Sequence, residues 1–303
     1  MKNKQYLFIG LFLIGLLVSC DKFDVTPAFL EITEADLQNC MNVTNFNYDH
    51  ETSYDQFQLS VVKNQDFKDV WVYLNGESLG CWEVPCKIPI LPNYGDSNHV
   101  QIFPGLRLNG VSSMIPLYPF VDSYDKKMMF DKEQTYQLGQ LQFEYSSTVR
   151  FPLIESFEQS SIFESSDTNS VTMDICVEDS RTAGHVHLDT STSSFFEVQT
   201  PFYLLPTDGT STFWEMDFKC DSEVSAEVTV VTTSGTLDNE ALVILNESTN
   251  GEWRHIYINL TRVISSQTNT TEDAYVRLIL NGYRNDNQPT DFYFDNLKII
   301  TFE

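Results

Sequence analysis

Apolar and polar residues alternate in short runs along most of this chain, and that period predicts β-strands. Residues 57–62 (FQLSVV) and 136–145 (YQLGQLQFEY) both alternate with a period of two. Residues 69–84 (DVWVYLNGESLGCWEV) predict a hairpin, because Asn75-Gly76 is a strong signal for a two-residue turn. Prolines and glycines in residues 87–111 interrupt the strands and exclude long helices there.

A second series of strand-like segments begins near residue 150. These segments are residues 184–190 (GHVHLDT), 213–220 (FWEMDFKC), 251–261 (GEWRHIYINLT) and 291–300 (DFYFDNLKII). We expect helix only in a short piece around residues 34–39. The pattern therefore predicts an all-β chain with one domain over residues 29–149 and another over residues 150–303.

The N-terminus has the layout of a secretory signal. Lys2 and Lys4 precede an apolar run over residues 6–18, which is too short to span a bilayer, and a small residue and Cys20 follow it. The stretch Leu17-Val-Ser-Cys20 resembles a bacterial lipobox. That resemblance implies that residues 1–19 are removed, that Cys20 is lipidated, and that residues 20–28 form a tether. The alternative is an ordinary buried helix.

The acidic, lysine-containing start after Cys20 is similar to surface-export signals of Bacteroidota lipoproteins. The resemblance implies a lipid-anchored outer-membrane protein exposed at the cell surface, with the periplasmic face as the alternative.

The charge balance narrows the choice of partners. The chain of 303 residues carries 43 acidic and 18 basic residues, a net charge of −25, and removal of residues 1–19 takes away two lysines and makes the charge −27. Such an excess argues against nucleic acid and against anionic lipid headgroups bound through a basic patch. It is compatible with divalent cations or a basic protein, or simply with a solvated acidic surface.

Cys20 is followed by five cysteines, an odd number for an exported protein, so they cannot all pair within the chain. A disulfide between Cys81 and Cys86 would close a small loop. Buried apolar thiols are the alternative, and we favour them because no zinc or redox spacing accompanies these residues.

Two stretches resemble known modules. The hairpin around Asn75-Gly76 and the following Pro85 and Pro89 resemble PEGA-type and other small β-sandwich modules of exported bacterial proteins. This resemblance implies an Ig-like or PEGA-like β-sandwich over residues 29–149.

The four strand-like segments after residue 150, with Phe157-Glu158 ahead of them, are similar to jelly-roll modules of the carbohydrate-binding type. The resemblance implies a jelly roll, and a structural Ca²⁺ held by Glu158 and Asp295, since hard oxygen ligands suit that ion. The alternative is that Asp295-Asn296 shapes a turn.

His185, His187 and Asp189 alternate along one predicted strand, which places them on one face within reach of one metal ion. The binuclear hydrolase motif H-x-H-x-D-H would need a histidine where Thr190 stands, so we favour a solvent-facing polar strand. No G-x-S-x-G and no cysteine with a nearby base is present. We therefore predict no catalytic residue and no enzyme activity.

Sugar binding needs exposed aromatic rings with polar neighbours. Tyr283 and Arg284, in a glycine-containing loop, are the favoured candidates, with Trp253 as a third for which core packing is the favoured explanation. We expect a membrane-anchored, non-catalytic protein that binds surface polysaccharide through its C-terminal jelly roll. The alternative is an accessory subunit of an outer-membrane β-barrel complex, docked through the hairpin of residues 71–85 unless that hairpin is buried in its own sandwich.

Overall fold

The computed structural model describes residues 26–43, 54–191, 193–232, 235–236, 240–245, 248–266, 273–284 and 288–303. The predicted signal segment and Cys20 lie outside these residues. Within them, no helix combines the length and the apolar character needed to cross a membrane. The chain is almost all β, arranged in sandwiched sheets, which confirms the predicted fold class.

The described residues of the N-terminal part form nine strands and two short helices. In chain order they are β1 (Ala28–Ile32), α1 (Glu34–Leu37), β2 (Met41–Asn42), α2 (Gln56–Lys63), β3 (Asp69–Leu74), β4 (Glu77–Glu83), β5 (Cys86–Ile90), β6 (Asn98–Gly105), β7 (Tyr124–Met128), β8 (Thr135–Gln137) and β9 (Phe143–Glu144). An antiparallel sheet has the strand order β4-β3-β6-β7 and a three-stranded sheet the order β5-β1-β8, with β1 and β8 parallel. Inward side chains of both sheets, such as Val72 and Leu30, share one core, so this part is a β-sandwich.

The predicted hairpin is confirmed. β3 and β4 pair antiparallel across Asn75 and Gly76, whose φ angles of 53° and 84° are those of a tight two-residue turn. The half-buried thiols of Cys81 and Cys86 are not joined by a disulfide. Burial raises the pKa of each thiol to about 11.

The strand predicted over residues 57–62 is wrong, because this segment forms the helix α2. Asp55 caps the helix by accepting hydrogen bonds from the backbone N–H groups of Phe57 and Gln58, at 2.8 and 2.9 Å. The Asp55 backbone N–H in turn donates to Gln58 Oε1 at 3.1 Å, which completes a capping box. A predicted helix near residues 34–39 is confirmed by α1, but helix is not confined to that piece.

The C-terminal part is a second sandwich. Its elements are β10 (Val149–Glu155), β11 (Glu164–Ser165), β12 (Asp174–Glu178), β13 (Arg181–Leu188), β14 (Phe195–Gln199), β15 (Tyr203–Leu205), β16 (Thr212–Cys220), β17 (Val224–Thr232), β18 (Gly235–Thr236), β19 (Glu240–Leu245), β20 (Arg254–Asn259), α3 (Thr261–Ser266), β21 (Ala274–Tyr283) and β22 (Thr290–Phe302).

Two sheets form this sandwich. Sheet 1 has the order β12-β13-β22-β16-β20, with β10 also paired to β22. Sheet 2 has the order β11-β14-β21-β17-β18, with β15 paired to β21 and β19 to β17. The sheets enclose several fully buried aromatic side chains, namely those of Trp214, Phe196 and Phe292. Trp214 therefore lies on the inward face of its strand and packs in the core.

The outer face of sheet 1 packs in part against the N-terminal sandwich. Phe213, Tyr257 and Ile300 point away from the C-terminal core and belong to the N-terminal core instead. Phe67 stacks on Tyr257 with ring centroids 6.0 Å apart. The two sandwiches therefore share a continuous apolar contact.

A buried ion pair lies in this contact. Lys298 Nζ is 3.1 Å from Glu215 Oε2, and neither side chain is exposed to solvent. The ammonium also donates to the carbonyl oxygens of Val61 (2.9 Å) and Asn64 (2.7 Å), so its three hydrogens all find acceptors. Glu215 Oε1 accepts a hydrogen bond from the Tyr118 hydroxyl at 2.6 Å. The pair thus connects sheet 1 to α2 and to the N-terminal core.

Candidate functional site

Among the described residues, the outer face of sheet 2 displays the most exposed aromatic side chains on regular strands. Along β21, Val276, Leu278 and Leu280 point into the core and are fully buried. Alternation turns the residues between and beyond them outward, and Tyr283 and Tyr275 at the two ends of the strand are 66% and 56% exposed. We call this outer surface of β14, β15, β17 and β21 the tyrosine face.

Each end of the tyrosine face carries an apolar pair. Tyr283 lies directly across from Phe195 of β14, with ring centroids 6.2 Å apart and the planes tilted by 35°. Tyr275 lies directly across from Leu204 of β15, which is also exposed. Both ends therefore present apolar surface to solvent.

Hydrogen-bonding side chains occupy the space between the two ends. Arg277 donates to Gln199 Oε1 at 2.6 Å, and Asn281 donates to Glu227 Oε1 at 2.8 Å. Ile279 of the same outward-facing row is buried, and it lies directly across from Gln199 on one side and Glu227 on the other. The polar groups are held in place by one another and by the sheet.

The dimensions suit an extended ligand. Tyr275 and Tyr283 are eight positions apart on one strand, which corresponds to roughly 27 Å at about 3.4 Å per residue. Aromatic rings stack on apolar ring faces, and amide, carboxylate and guanidinium groups bond hydroxyls. Chemically, the face can hold a chain of several sugar units along β21.

The three sugar-binding candidates do not form one site. Tyr283 ends β21, and Arg284 follows it with its backbone N–H bonded to the Ser194 carbonyl at 2.9 Å. The Arg284 Nε and Nη1 atoms are buried and meet no acceptor among the residues that are described. Trp253 precedes β20 of sheet 1, where the Arg181 guanidinium lies 5.1 Å from its ring centre. Trp253 therefore belongs to the opposite sheet from Tyr283.

The two residues of the expected calcium site, Glu158 and Asp295, both carry a carboxyl group but differ in exposure. Asp295 is 6% exposed on sheet 1, while Glu158 is exposed. Burial, with added repulsion from Asp217 and Glu158, raises the pKa of Asp295 to about 7. Carboxylate oxygens are ligands that Ca²⁺ prefers, so both residues offer the type of ligand atom that this ion needs.

The turn-forming alternative for Asp295-Asn296 also has support. Asn296 has a φ of 50°, and its backbone N–H donates to Asp295 Oδ1 at 2.7 Å. Its side-chain amide donates to both Asp295 and Asp217, at 3.1 and 2.8 Å. Here β22 is irregular in its pairing with β16, so the asparagine shapes a bulge. Calcium remains a prediction.

His185 and His187 lie on one face of β13, as expected, but Asp189 does not join them. Asp189 lies beyond the strand and accepts hydrogen bonds from the Ser191 backbone N–H and hydroxyl, at 2.6 and 2.7 Å. Asp291 of β22 takes that place instead, 2.7 Å from both histidines. Sequence reasoning missed Asp291 because its proximity depends on the register of β13 with β22.

Of three comparisons with known proteins, only the one with solved structures gave matches. No family model matches it, and no curated protein matches it. Among solved structures, the family 11 carbohydrate-binding module of Clostridium thermocellum is 16% identical, covering 50% of this chain and 94% of that one with a TM-score of 0.33. A family 28 module described as specific for non-crystalline cellulose is 11% identical, covering 48% and 90% with a TM-score of 0.36.

Proposed function

We propose that this chain is a non-catalytic, glycan-binding protein whose binding surface is the tyrosine face. One observation carries the proposal: two exposed tyrosines stand at the ends of a single strand, with ordered hydrogen-bonding groups between them. Contiguous exposed apolar surface on a folded protein marks interaction or ligand-binding sites. A polysaccharide segment lying along β21 would cover both ends at once.

The order already present on the tyrosine face favours binding. The guanidinium of Arg277 is fixed by Gln199 and lies 4.2 Å from the ring centre of Phe202. Fixed side chains lose little rotational freedom when a ligand arrives, so more of the contact energy appears as affinity.

We further propose that lipidated Cys20 anchors the protein in the outer membrane, exposed at the cell surface, with the periplasmic face as the alternative. The support is the basic, apolar and small-residue order of residues 2–20. Its partners would then be membrane lipid and polysaccharide rather than nucleic acid.

The accessory-subunit alternative relies on the hairpin of residues 71–85, of which Val72 and Leu74 are buried in their own sandwich. Trp71 donates its indole hydrogen to the Ile115 carbonyl at 2.9 Å, and Trp82 to the Leu79 carbonyl at 3.1 Å. Neither side chain is fully exposed. We therefore place glycan binding ahead of docking to a β-barrel protein.

Affinity electrophoresis of the full chain against a panel of soluble β-linked polysaccharides tests the proposal. Tyr283→Ala and Tyr275→Ala should each weaken binding about tenfold, which is about 1.4 kcal/mol, because each removes one stacking surface. Tyr73→Ala is the matched control, since Tyr73 packs edge-on against Phe103 at 5.7 Å on the N-terminal sandwich. Equal retention of all three variants and the unaltered chain would refute the tyrosine face as the binding surface.

A further inference from the structure

Two histidines and one aspartate converge on the outer face of sheet 1, on the opposite side of the sandwich from the tyrosine face. The His185 Nε2 and His187 Nδ1 atoms are each 2.7 Å from Asp291 Oδ1. The three atoms lie within 4.8 Å of one another, and no other such cluster of three occurs in the described parts of the chain. We propose that His185, His187 and Asp291 bind a late first-row divalent transition metal ion such as Zn²⁺.

The spacing of the three atoms is close to that of a metal site. Zinc–ligand bonds of 2.0–2.1 Å in tetrahedral geometry place neighbouring ligand atoms roughly 3.4 Å apart. Asp291 Oδ1 is 2.7 Å from each imidazole nitrogen, so small side-chain rotations that separate these atoms would admit an ion between them. The mixed nitrogen and oxygen donors suit zinc, copper or nickel, whereas Ca²⁺ takes six to eight oxygens.

The strands hold the three residues in position. In the pairing of β13 with β22, His187 lies directly across from Asp291 and His185 directly across from Tyr293. The Tyr293 ring stacks on the His185 imidazole with centroids 4.5 Å apart and planes within 7°. The Asp291 backbone is held on its other side, because its N–H donates to Asp221 Oδ2 at 3.2 Å and its carbonyl accepts from the Asp221 N–H at 3.0 Å. These contacts already restrict the three residues, so metal binding would cost little further conformational entropy.

The site is open to solvent. Side-chain exposure rises from 22% at His185 to 43% at His187. Three protein ligands leave at least one coordination position for water or for a group from another molecule. Binding here is independent of the proposed glycan site, because the tyrosine face lies on sheet 2.

Another histidine of the chain supplies a matched control. His99 Nε2 lies 2.5 Å from Asp125 Oδ1 on the N-terminal sandwich, with similar exposure but with a single imidazole. Loss of His99 therefore removes one histidine–carboxylate pair without touching the three-residue cluster.

Zinc titration of the full chain by calorimetry, under reducing conditions and with 1 mM Ca²⁺ present throughout, tests the proposal. The unaltered chain and His99→Gln should bind the same number of zinc equivalents. His187→Gln and Asp291→Asn should each lose one equivalent or bind it at least tenfold more weakly, and their circular dichroism should match that of the unaltered chain. His187 is exposed enough for its replacement to leave folding intact, so that variant stays informative if Asp291→Asn unfolds.

Two results would overturn the proposal. One is zinc binding by His187→Gln that equals binding by the unaltered chain in stoichiometry and affinity. The other is no detectable zinc binding by the unaltered chain in the buffer that contains Ca²⁺. Neither result would bear on polysaccharide retention by the tyrosine face, so the two proposals fail separately.

Discussion

Replacing Lys298 with methionine removes a buried positive charge from the contact between the two sandwiches. Methionine has a similar length and fits an apolar site, so the change removes the charge and the hydrogen bonds with little loss of volume. Glu215 would then be left fully buried beside the Tyr118 hydroxyl without its cation. The carbonyl oxygens of Val61 and Asn64 would lose their donor as well.

The expected loss follows from this geometry. Removal of one partner from a buried ion pair costs about 3–5 kcal/mol, because the remaining charge is desolvated and uncompensated. Two carbonyls without a donor add to that cost, although contributions within one network do not sum simply. We expect Lys298→Met to lower the free energy of unfolding by about 3–5 kcal/mol, a large part of the 5–15 kcal/mol typical of a folded protein.

Urea unfolding followed by tryptophan fluorescence measures this loss in both sandwiches. Trp71 and Trp82 report on the N-terminal sandwich, and Trp214 and Trp253 report on the C-terminal one. Because the ion pair lies in their shared contact, the emission of both sets should change at a lower urea concentration.

A double-mutant cycle separates the pair from its surroundings. Glu215→Gln removes the negative charge and keeps a side chain that can bond the Tyr118 hydroxyl. The double variant should be more stable than the two single losses predict, because neither charge is then left alone. Lys68→Met is the surface control: Lys68 is about half exposed beside Asp66, so its loss should cost at most about 1 kcal/mol. A loss below 1 kcal/mol in Lys298→Met, or a double variant no better than the sum, would refute the reasoning.

Three further predictions concern Asp295, calcium and the anchor. The folded-state pKa of Asp295, about 7, lies above the ordinary value, so its contribution to stability is present below about pH 4 and is lost as pH rises toward 7. In urea unfolding, the free energy of unfolding of Asp295→Asn minus that of the unaltered chain should therefore be more favourable to the variant at pH 8 than at pH 4.5. A difference between the two chains that does not change with pH would contradict this. If Ca²⁺ binds at Glu158 and Asp295, millimolar Ca²⁺ should raise the Tm above that in chelator, with about 2.7 kcal/mol of stabilisation at 100-fold saturation, and an unchanged Tm would remove the calcium site. Cys20→Ser should move the protein from the membrane fraction to the soluble fraction, and retention in the membrane would mean that lipid on Cys20 is not the anchor.

Much of the fold could be predicted locally. The turn at Asn75-Gly76 needs only its own two residues, since both adopt positive φ angles at low cost. The strands β13, β16, β20 and β22 follow from alternating apolar positions. Helix α2 was missed because Phe57, Leu59 and Val61 also fit a strand pattern, while the capping box of Asp55 and Gln58 decides for helix.

The candidate sites were only partly predictable. Tyr283 could be singled out from its neighbouring glycine and polar residues, but its pairing with Phe195 depends on the register of β14 and β21. The histidine pair could be recognised from its spacing, but Asp291 is more than a hundred residues away in the chain. No local pattern indicates that Trp253 lies on the sheet opposite Tyr283.

The sequence by itself determined that the chain is β-rich, acidic and built from two successive strand-rich parts, because backbone propensity, charge and turn chemistry are local properties. Only the tertiary structure decided which outward faces meet. The bulge between Asp295 and Lys298 turns both side chains away from the core of sheet 1, yet the N-terminal sandwich covers Lys298 completely and leaves Asp295 slightly exposed. Strand pairing and sandwich contact join residues far apart in the chain, so the ion pair, the histidine–aspartate cluster and the tyrosine face exist only once the chain is folded.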